Sequence, residues 1–179
     1  IAVIGSTGSG KSTLINLIPR YYDVTKGSVK VDGVDVRDMT QKELRDKLGY
    51  VPQKGVLFSG TIDSNIRYGK PEITDAQVKE AAEVAQATEF IDTKPEKYES
   101  PVSQGGTNVS GGQKQRLSIA RAIAKDPEIF IFDDSFSALD FKTDSQLRKA
   151  LKEYTKDATT VIVAQRISTI LGADQIIVL

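Results

Sequence analysis

The sequence contains no cysteine, histidine or tryptophan, and it has no long apolar run. The absence of cysteine excludes a disulfide framework and a thiolate metal site. Because histidine, the commonest metal ligand and general base, is also missing, any catalysis must use carboxylates, amides, hydroxyls and lysine. No apolar run approaches the roughly 20 residues that cross a bilayer, and no signal-like segment opens the chain. We therefore expect this segment by itself to be soluble.

An excess of one charge is lacking as well. Lysine plus arginine and aspartate plus glutamate both number 24 among 179 residues, and this balance argues against a nucleic-acid platform held by bulk positive charge. The length allows one domain or at most two cores. Both ends look cut, because Ile1 opens an apolar strand without a methionine and another apolar run reaches Leu179. We expect a fragment of a longer protein, with residues 1–179 forming one domain.

Apolar, β-rich runs alternate with helical patterns along the chain. Several of these runs are apolar throughout, which is typical of strands in a parallel sheet covered on both faces. They lie at residues 1–4, 48–51, 129–132, 159–163 and 176–179. The pattern predicts an α/β fold with a mixed sheet. Residues 61–125 are mostly helical by pattern and are predicted to be an inserted helical subdomain, and residues 29–36 a small antiparallel β region.

A glycine-rich segment follows the first strand and precedes a helical pattern at residues 13–17. Its sequence matches the phosphate-loop motif G-x-x-x-x-G-K-[ST], in Gly5-Ser6-Thr7-Gly8-Ser9-Gly10-Lys11-Ser12. Glycines let successive backbone N–H groups surround phosphate oxygens. Lys11 is predicted to reach the β- and γ-phosphates, and the Ser12 hydroxyl to ligate Mg²⁺. The alternative, an ordinary glycine-rich turn, does not account for the complete motif in its strand-to-helix context.

A second acidic site follows the strand at residues 129–132, which ends at Asp133 and Asp134. This position puts a carboxylate at the C-terminal edge of the sheet, where ligands of open α/β folds bind. Alone, the pattern is more often a simple strand-to-loop boundary. Asp133 therefore gains weight as a candidate metal ligand only from its company, the segment at residues 108–116 that precedes it by about 20 residues.

Three further segments resemble those of one family. Residues 108–116, Asn-Val-Ser-Gly-Gly-Gln-Lys-Gln-Arg, resemble the signature sequence of ATP-binding-cassette (ABC) proteins. Gln53 resembles the family's Q-loop glutamine, and residues 137–140, Ser-Ala-Leu-Asp, resemble its D-loop. With the phosphate loop and Asp133, five elements stand in the family order. The chain is identified as a member of the ABC family, with a P-loop NTPase core and a helical signature subdomain, and this excludes a simple P-loop kinase.

The resemblance implies that ATP and Mg²⁺ bind and that two such domains enclose two nucleotides head to tail. The phosphate loop through Thr13, with Gln53, would serve the chain's own nucleotide, and Ser12, Gln53 and Asp133 would hold the metal. The opposite face would complete the partner's nucleotide site, through Ser110, Gly111, Gly112, Gln113 and Asp140. From the residues alone, the glycines at 111 and 112 are equally a flexible turn before a helix.

Two residues depart from the family pattern at the catalytic step. Asp134 stands where competent members carry glutamate, and Gln165, in the segment 163–168, stands where they carry a histidine before Arg166. Aspartate is one methylene short for polarising water, and an amide cannot take on a proton. We expect a degenerate site in a heterodimer whose partner is competent. A homodimer remains open if Asp134 suffices as the base.

The run after Gln53, at residues 54–62, resembles exporter-type domains fused to their own membrane part. The resemblance implies a transporter ATPase at the cytoplasmic face of a membrane, with residues 103–107 as a second contact loop and no nucleic-acid partner. The family's adenine-stacking aromatic would lie before residue 1, so Tyr21 and Tyr22 are interpreted as packing or surface residues. The alternatives are a soluble ABC ATPase acting on ribosomes or DNA and a non-hydrolytic ATP-binding regulator.

Overall fold

The computed structural model describes residues 1–165 and 167–179, together with all side chains in these ranges except that of Ser168. The chain divides into two compact units. The first comprises Ile1–Tyr50, Pro127–Asp134 and Ala158–Leu179, and the second Val51–Asp126 and Ser135–Asp157. Within the described ranges, none of the helices is long and apolar enough to cross a bilayer.

The first unit is built on a five-stranded sheet. Its strands are β1 (Ala2–Ile4), β4 (Leu48–Val51, whose last residue opens the second unit), β7 (Ile129–Asp133), β8 (Thr159–Val163) and β9 (Ile176–Val178), in the order β4-β7-β8-β1-β9. Strand β1 pairs in parallel with β8 and β9, and β7 in parallel with β8. The five apolar runs thus form one sheet, which confirms the predicted α/β class.

A cluster of buried apolar side chains forms the core beside this sheet. Val3 of β1 and Ile131 of β7 pack with Val161 and Val163 of β8. Ile15, from the helix that follows β1, packs against the same cluster. The small antiparallel region predicted at residues 29–36 is present as a ribbon whose strands flank a two-residue turn at Asp32 and Gly33. The remaining elements are β2 (Lys30–Val31), β3 (Val34–Asp35), α1 (Lys11–Ile15), α2 (Gln41–Asp46) and α8 (Ile167–Ile170), with a 3₁₀ turn at Val36–Asp38.

The first helix is displaced from the pattern predicted at residues 13–17. Helix α1 begins at Lys11 and ends at Ile15, and Asn16 is its C-cap. Pro19 stands three residues beyond this cap, and a proline disfavours helical backbone at the residue before it. The helix is therefore short, and its first residues are Lys11 and Ser12 of the phosphate loop.

The second unit is mainly helical. Its elements are α3 (Ile62–Ile66), α4 (Asp75–Val84), α5 (Thr88–Asp92), α6 (Gly111–Ala124) and α7 (Phe141–Tyr154), with 3₁₀ turns at Lys97–Glu99 and Gln104–Gly106. Helix α6 packs on α3 and α4, and α7 packs on α4. A short antiparallel ribbon that the sequence pattern did not predict joins β5 (Gly60–Thr61) to β6 (Pro101–Val102).

Candidate functional site

The loop between β1 and α1 encloses the amino group of Lys11. Lys11 is 8% exposed, and its Nζ donates to the carbonyl oxygens of Gly5 at 2.8 Å and Ser6 at 2.7 Å. Gly8 and Gly10 adopt φ values of 82° and 95°, a left-handed region that L side chains rarely enter. The glycines therefore allow the chain to curl around a buried positive charge.

This loop has the chemistry that a phosphate group requires. The hydroxyl oxygen of Ser9 is buried without a hydrogen-bond partner. A buried hydroxyl without a partner is costly, and an anion with several oxygens would satisfy it. Together with the ammonium group of Lys11, the loop provides a cation and a donor at one place. The residues present thus fit a phosphate ligand.

A hydroxyl and a carboxylate meet beside the loop. The Ser12 Oγ donates to Oδ1 of Asp133 at 3.0 Å, and Asp133 is 6% exposed at the end of β7. Within the described ranges, no group of three or more acidic side chains is arranged to hold a metal ion. Magnesium does not require one, because it is usually held by one or two carboxylates, water and substrate phosphates. A hydroxyl paired with one carboxylate fits this mode of binding.

Tyr50 is a site residue that the sequence analysis missed. Its hydroxyl lies 3.0 Å from Oδ1 of Asn16 and 3.4 Å from Oδ2 of Asp133. Burial, with a smaller effect from the charge of Asp133, raises the pKa of Tyr50 well above its ordinary value, so the phenol stays protonated and can donate. The available signal was a tyrosine in the otherwise apolar strand β4, three residues before Gln53.

The two residues that depart from the family pattern, Asp134 and Gln165, contact each other. Nε2 of Gln165 donates to Oδ2 of Asp134 at 3.1 Å. The backbone N–H of Asp134 donates to the carbonyl oxygen of Val163 at 3.0 Å, and its φ of 47° is one that aspartate tolerates better than most residues. The first unit therefore brings Lys11, Asp133, Asp134 and Gln165 onto neighbouring loops at the strand ends. Arg166, the next residue of this segment, lies outside the described residues.

The signature residues open helix α6 in the second unit. Oγ of Ser110 accepts from the N–H of Gln113 at 3.2 Å, and Oε1 of Gln113 accepts from the N–H of Ser110 at 3.1 Å. This reciprocal capping box fixes the first turn, in which Gly111 is exposed and Gly112 half-buried. Because the cap uses Ser110 as an acceptor, the hydroxyl proton is still free to be donated to an anion.

The other predicted residues of the second unit are Gln53 and Asp140. Gln53 is exposed in the segment after β4. Asp140 caps α7, accepting from the N–H and the hydroxyl of Thr143 at 3.0 and 2.7 Å. These hydrogen bonds hold the pKa of the Asp140 carboxyl below its usual range. The predicted residues thus divide between the two units, and Gln53, which was predicted to serve the chain's own nucleotide, belongs to the second unit.

The predicted interpretation of the tyrosines after α1 agrees with their surroundings. The ring of Tyr21 packs edge-on against that of Tyr50, with centroids 5.7 Å apart, and the guanidinium of Arg45 lies over it. Tyr22 is 62% exposed. Tyr21 is thus a packing residue and Tyr22 a surface residue.

Comparison with known proteins places this geometry in a family. The ABC transporter family model matches residues 1–137. Proteins from several strains of Staphylococcus aureus, named as multidrug export ATP-binding/permease proteins, are 49% identical over all 179 residues. The chain spans 31% of the length of these curated relatives. A solved bacterial Atm1-family ABC exporter with ATP bound is 41% identical and superposes with a TM-score of 0.95, over 99% of this chain and 31% of that one.

The family match covers most of the chain, and it includes both the phosphate loop and the signature segment. The fold of the solved relative agrees with the predicted P-loop core and its helical subdomain. The chain belongs to the ABC transporter family.

Proposed function

We propose that this chain is the ATP-binding and ATP-hydrolysing domain of an ABC exporter, that its own site hydrolyses slowly, and that its signature face completes a faster site on a partner domain. The observation that carries the proposal is the contact between Asp134 and Gln165, beside an intact Ser12–Asp133 pair. Binding residues of the family are retained, while both departures meet at the position where water would be activated.

The retained residues serve binding. Lys11 would leave its carbonyl partners for the β- and γ-phosphates of ATP, exchanging dipole contacts for stronger charge-assisted bonds. Ser12 and Asp133 would hold Mg²⁺ with help from Gln53, and the ion would neutralise charge on the phosphate oxygens. Ser9 would donate its buried hydroxyl to the same anion.

The altered residues weaken hydrolysis. Asp134 is one methylene shorter than the glutamate of competent domains, and one of its oxygens already accepts from Gln165. A base misplaced by about 1 Å can lose on the order of 10²-fold in rate. Gln165 can donate to a phosphate oxygen but cannot supply a proton or a positive charge to the transition state. ATP would remain bound for many turnovers of the other site.

The signature face is equipped to act on a second nucleotide. Ser110 and Gln113 are locked by their mutual cap, and Asp140 is fixed by Thr143. A heterodimer gives this intact face a competent partner site to complete. A homodimer would put two weakened sites together, and Asp134 would then have to serve as the base in both.

An aromatic surface supports attachment to a membrane domain. The rings of Phe58 and Tyr68 stack with centroids 4.1 Å apart, and the guanidinium of Arg121 lies over both. Tyr68 is 55% exposed and Val56 50%. Val56 and Phe58 belong to the exporter-like run after Gln53, where the family receives its membrane domain, and Tyr68 and Arg121 extend the surface beyond that run. The named export relatives, about three times as long as this chain, support such a domain fused upstream at the cytoplasmic face of a membrane.

Two other functions fit less of the structure. A soluble ABC ATPase acting on ribosomes or DNA would give the exporter-like aromatic surface no partner. A non-hydrolytic regulator is consistent with Asp134 and Gln165, but it leaves the capped signature face without a role.

The decisive test is single-turnover ATP hydrolysis by the intact protein, alone and with candidate partner domains. We compare the unmodified chain with Asp134→Glu plus Gln165→His, and we use Lys11→Ala as the control that loses binding. The proposal expects slow hydrolysis alone, stimulation by the partner, and an increase of roughly 10- to 100-fold from the double change. Fast unassisted hydrolysis that the double change leaves unaltered would contradict it.

A further inference from the structure

The side-chain amide of Gln115 closes the turn that carries Gln53. Gln115 is 1% exposed on helix α6, and its Nε2 donates to the carbonyl oxygen of Pro52 at 3.1 Å. Its Oε1 accepts from the backbone N–H of Gly55 at 3.0 Å. Both hydrogen-bonding ends of one amide are therefore used, and they hold the residues on either side of Gln53 and Lys54.

Gly55 brings this turn into direct contact with the helix. A Cβ at this position would lie 2.9 Å from the carbonyl oxygen of Lys114 and 2.9 Å from Oγ of Ser118. Real Cβ atoms do not approach backbone this closely, so only glycine permits the observed distance. The turn is thus packed against α6 and is not a free loop.

The segment after Gly55 is tied to the loop before the signature residues. The N–H of Gly105 donates to the carbonyl oxygen of Leu57 at 3.0 Å. The N–H of Ser59 donates to Oε1 of Gln104 at 3.2 Å. The run of residues 52–59 is therefore bonded to the chain on both sides of Ser110, before it through residues 104–105 and after it through Gln115.

Helix α6 also contacts the segment around α5, through Arg116. Arg116 donates to the carbonyl oxygen of Gln86 at 2.7 Å, and its guanidinium lies 4.8 Å from the centroid of the Phe90 ring. The helix runs without interruption from Gly111 to Ala124. Hydrogen-bonded helical backbone over this short distance transmits displacement with little bending. A shift at Gln115 is then also a shift at Ser110, less than two turns away.

The geometry points to Gln115 as a positioning residue that makes the Gln53 segment and the signature end of α6 move as one body. This inference rests on the proposed function for the roles of Gln53 and Ser110. Gln53 would sense the chain's own nucleotide, whereas Ser110 would face the partner's. Gln115 would thereby link the occupancy of the slow site to the placement of Ser110 at the fast one.

The test uses the intact protein with its partner and replaces Gln115→Leu, which keeps the volume of the side chain but removes both hydrogen bonds. Amide hydrogen exchange over residues 52–59 should rise by about 10-fold, because the Gly55 N–H loses its acceptor. The kcat of ATP hydrolysis should fall by roughly 10- to 100-fold, while the affinity for ATP stays within about 2-fold. Ser118→Ala is the matched control: its buried hydroxyl also lies beside Gly55 but makes no hydrogen bond, so the variant separates packing at this contact from the two hydrogen bonds of Gln115, and it should change neither quantity.

A second variant disturbs the contact between Gly55 and α6 by changing Gly55 instead of Gln115. Gly55→Ala places a Cβ against α6 while Gln115 stays intact, so it should produce the same loss of kcat and the same rise in exchange. Combined with Gln115→Leu, it should add little, because both changes break one contact. This variant keeps the inference testable if Gln115→Leu does not fold.

Two results would overturn the inference. One is unchanged kcat and unchanged exchange over residues 52–59 in both variants. The other is exchange that rises equally in α4, which would make Gln115 a general stabilising residue. If the unmodified protein hydrolyses no ATP and Lys11→Ala leaves ATP binding unchanged, the proposed function fails instead. The exchange comparison would still decide whether Gln115 holds the segment.

Discussion

The two units differ in how well each preserves the residues that its family uses. In the first unit, Lys11, Ser12 and Asp133 match the family's binding residues, whereas Asp134 and Gln165 depart from its pattern and are hydrogen-bonded to each other. In the second unit, the signature end of α6 and the Asp140 cap are complete, and each polar side chain there has a local partner. The proposal of an unequal pair of sites rests on this difference between the residues that would face a partner and those of the proposed catalytic step.

The comparison separates binding from hydrolysis. Phosphate binding needs a cation, a hydroxyl and close backbone, and small changes in geometry weaken it only modestly. Hydrolysis needs a base aligned with one water molecule, and a displacement of about 1 Å can lower its rate by on the order of 10²-fold. In the proposed function, the first unit keeps what phosphate binding needs and alters only the alignment of the base.

The largest expected effect comes from placing a charge on the signature face. The Cβ of a residue at Gly111 would meet no atom within 4 Å, so Gly111→Asp should not disturb folding. Its carboxylate would repel the partner's γ-phosphate, and ATPase activity of the pair should fall by about 10²-fold. The measurement is steady-state hydrolysis by the assembled protein.

Gly111→Asn is the control for that change, because it has nearly the same shape without the charge. It should lower activity by less than about 10-fold, since no repulsion is introduced. Equal losses from both substitutions would show that bulk, and not charge, matters at this position. Full activity in Gly111→Asp would contradict the proposal that the signature face contacts the partner's nucleotide.

A smaller effect is expected in the first unit from Tyr50→Phe. Loss of the hydroxyl leaves Oδ2 of Asp133 without this neighbour, and the apparent affinity for Mg²⁺ during ATP binding should weaken by about 3- to 10-fold. A magnesium titration of nucleotide binding measures it. Tyr22→Phe, which removes an exposed hydroxyl, is the control and should leave the titration unchanged.

The smallest effect concerns pH and the cap of α7. Hydrogen bonds from Thr143 lower the pKa of Asp140, so the charged form stabilises the fold. That contribution is complete above the ordinary aspartate value of about 3.9 and disappears as pH falls through the lower folded value. The melting temperature of Asp140→Asn should therefore lie below that of the unmodified protein at pH 7, and the gap should close below pH 4.

Asp157→Asn serves as the reference for this experiment, because Asp157 is exposed beyond the end of α7. It should show no such closing gap. A gap of the same size for Asp140→Asn at both pH values would contradict a role for the ionised carboxylate.

Motifs and apolar runs predicted much of the fold because both signals are local. The runs identified all five strands of the sheet, and the glycine-rich motif located the loop before α1. The β5–β6 ribbon was missed because Pro101 and Val102 are too short a segment to show a period of two. The helical insert predicted at 61–125 stays a prediction as a domain boundary, although the compact second unit also includes residues before and after it.

The site was predictable in identity but not in pairing. Asp134 and Gln165 stood out by comparison with a family pattern, yet they lie 31 positions apart and their hydrogen bond depends on the β7–β8 pairing. Tyr50 carried no motif-level signal that separated it from a packing residue, and Gln115 lies in the signature-like segment 108–116, which did not indicate its contacts with Pro52 and Gly55. Their roles follow from long-range contacts, 83 positions from Tyr50 to Asp133 and 60 from Gly55 to Gln115.

The most direct test of the unequal pair is to silence one site at a time in the assembled transporter. We would replace the catalytic glutamate of the partner domain by glutamine, and separately Asp134 by asparagine in this chain, because both changes remove the base and leave the ATP-binding residues in place, and measure hydrolysis by each. The account predicts that silencing the partner's site removes nearly all activity, about 10²-fold or more, whereas Asp134→Asn leaves a substantial part of it. Equal losses from the two changes, or fast hydrolysis remaining when only this chain's site is intact, would contradict it.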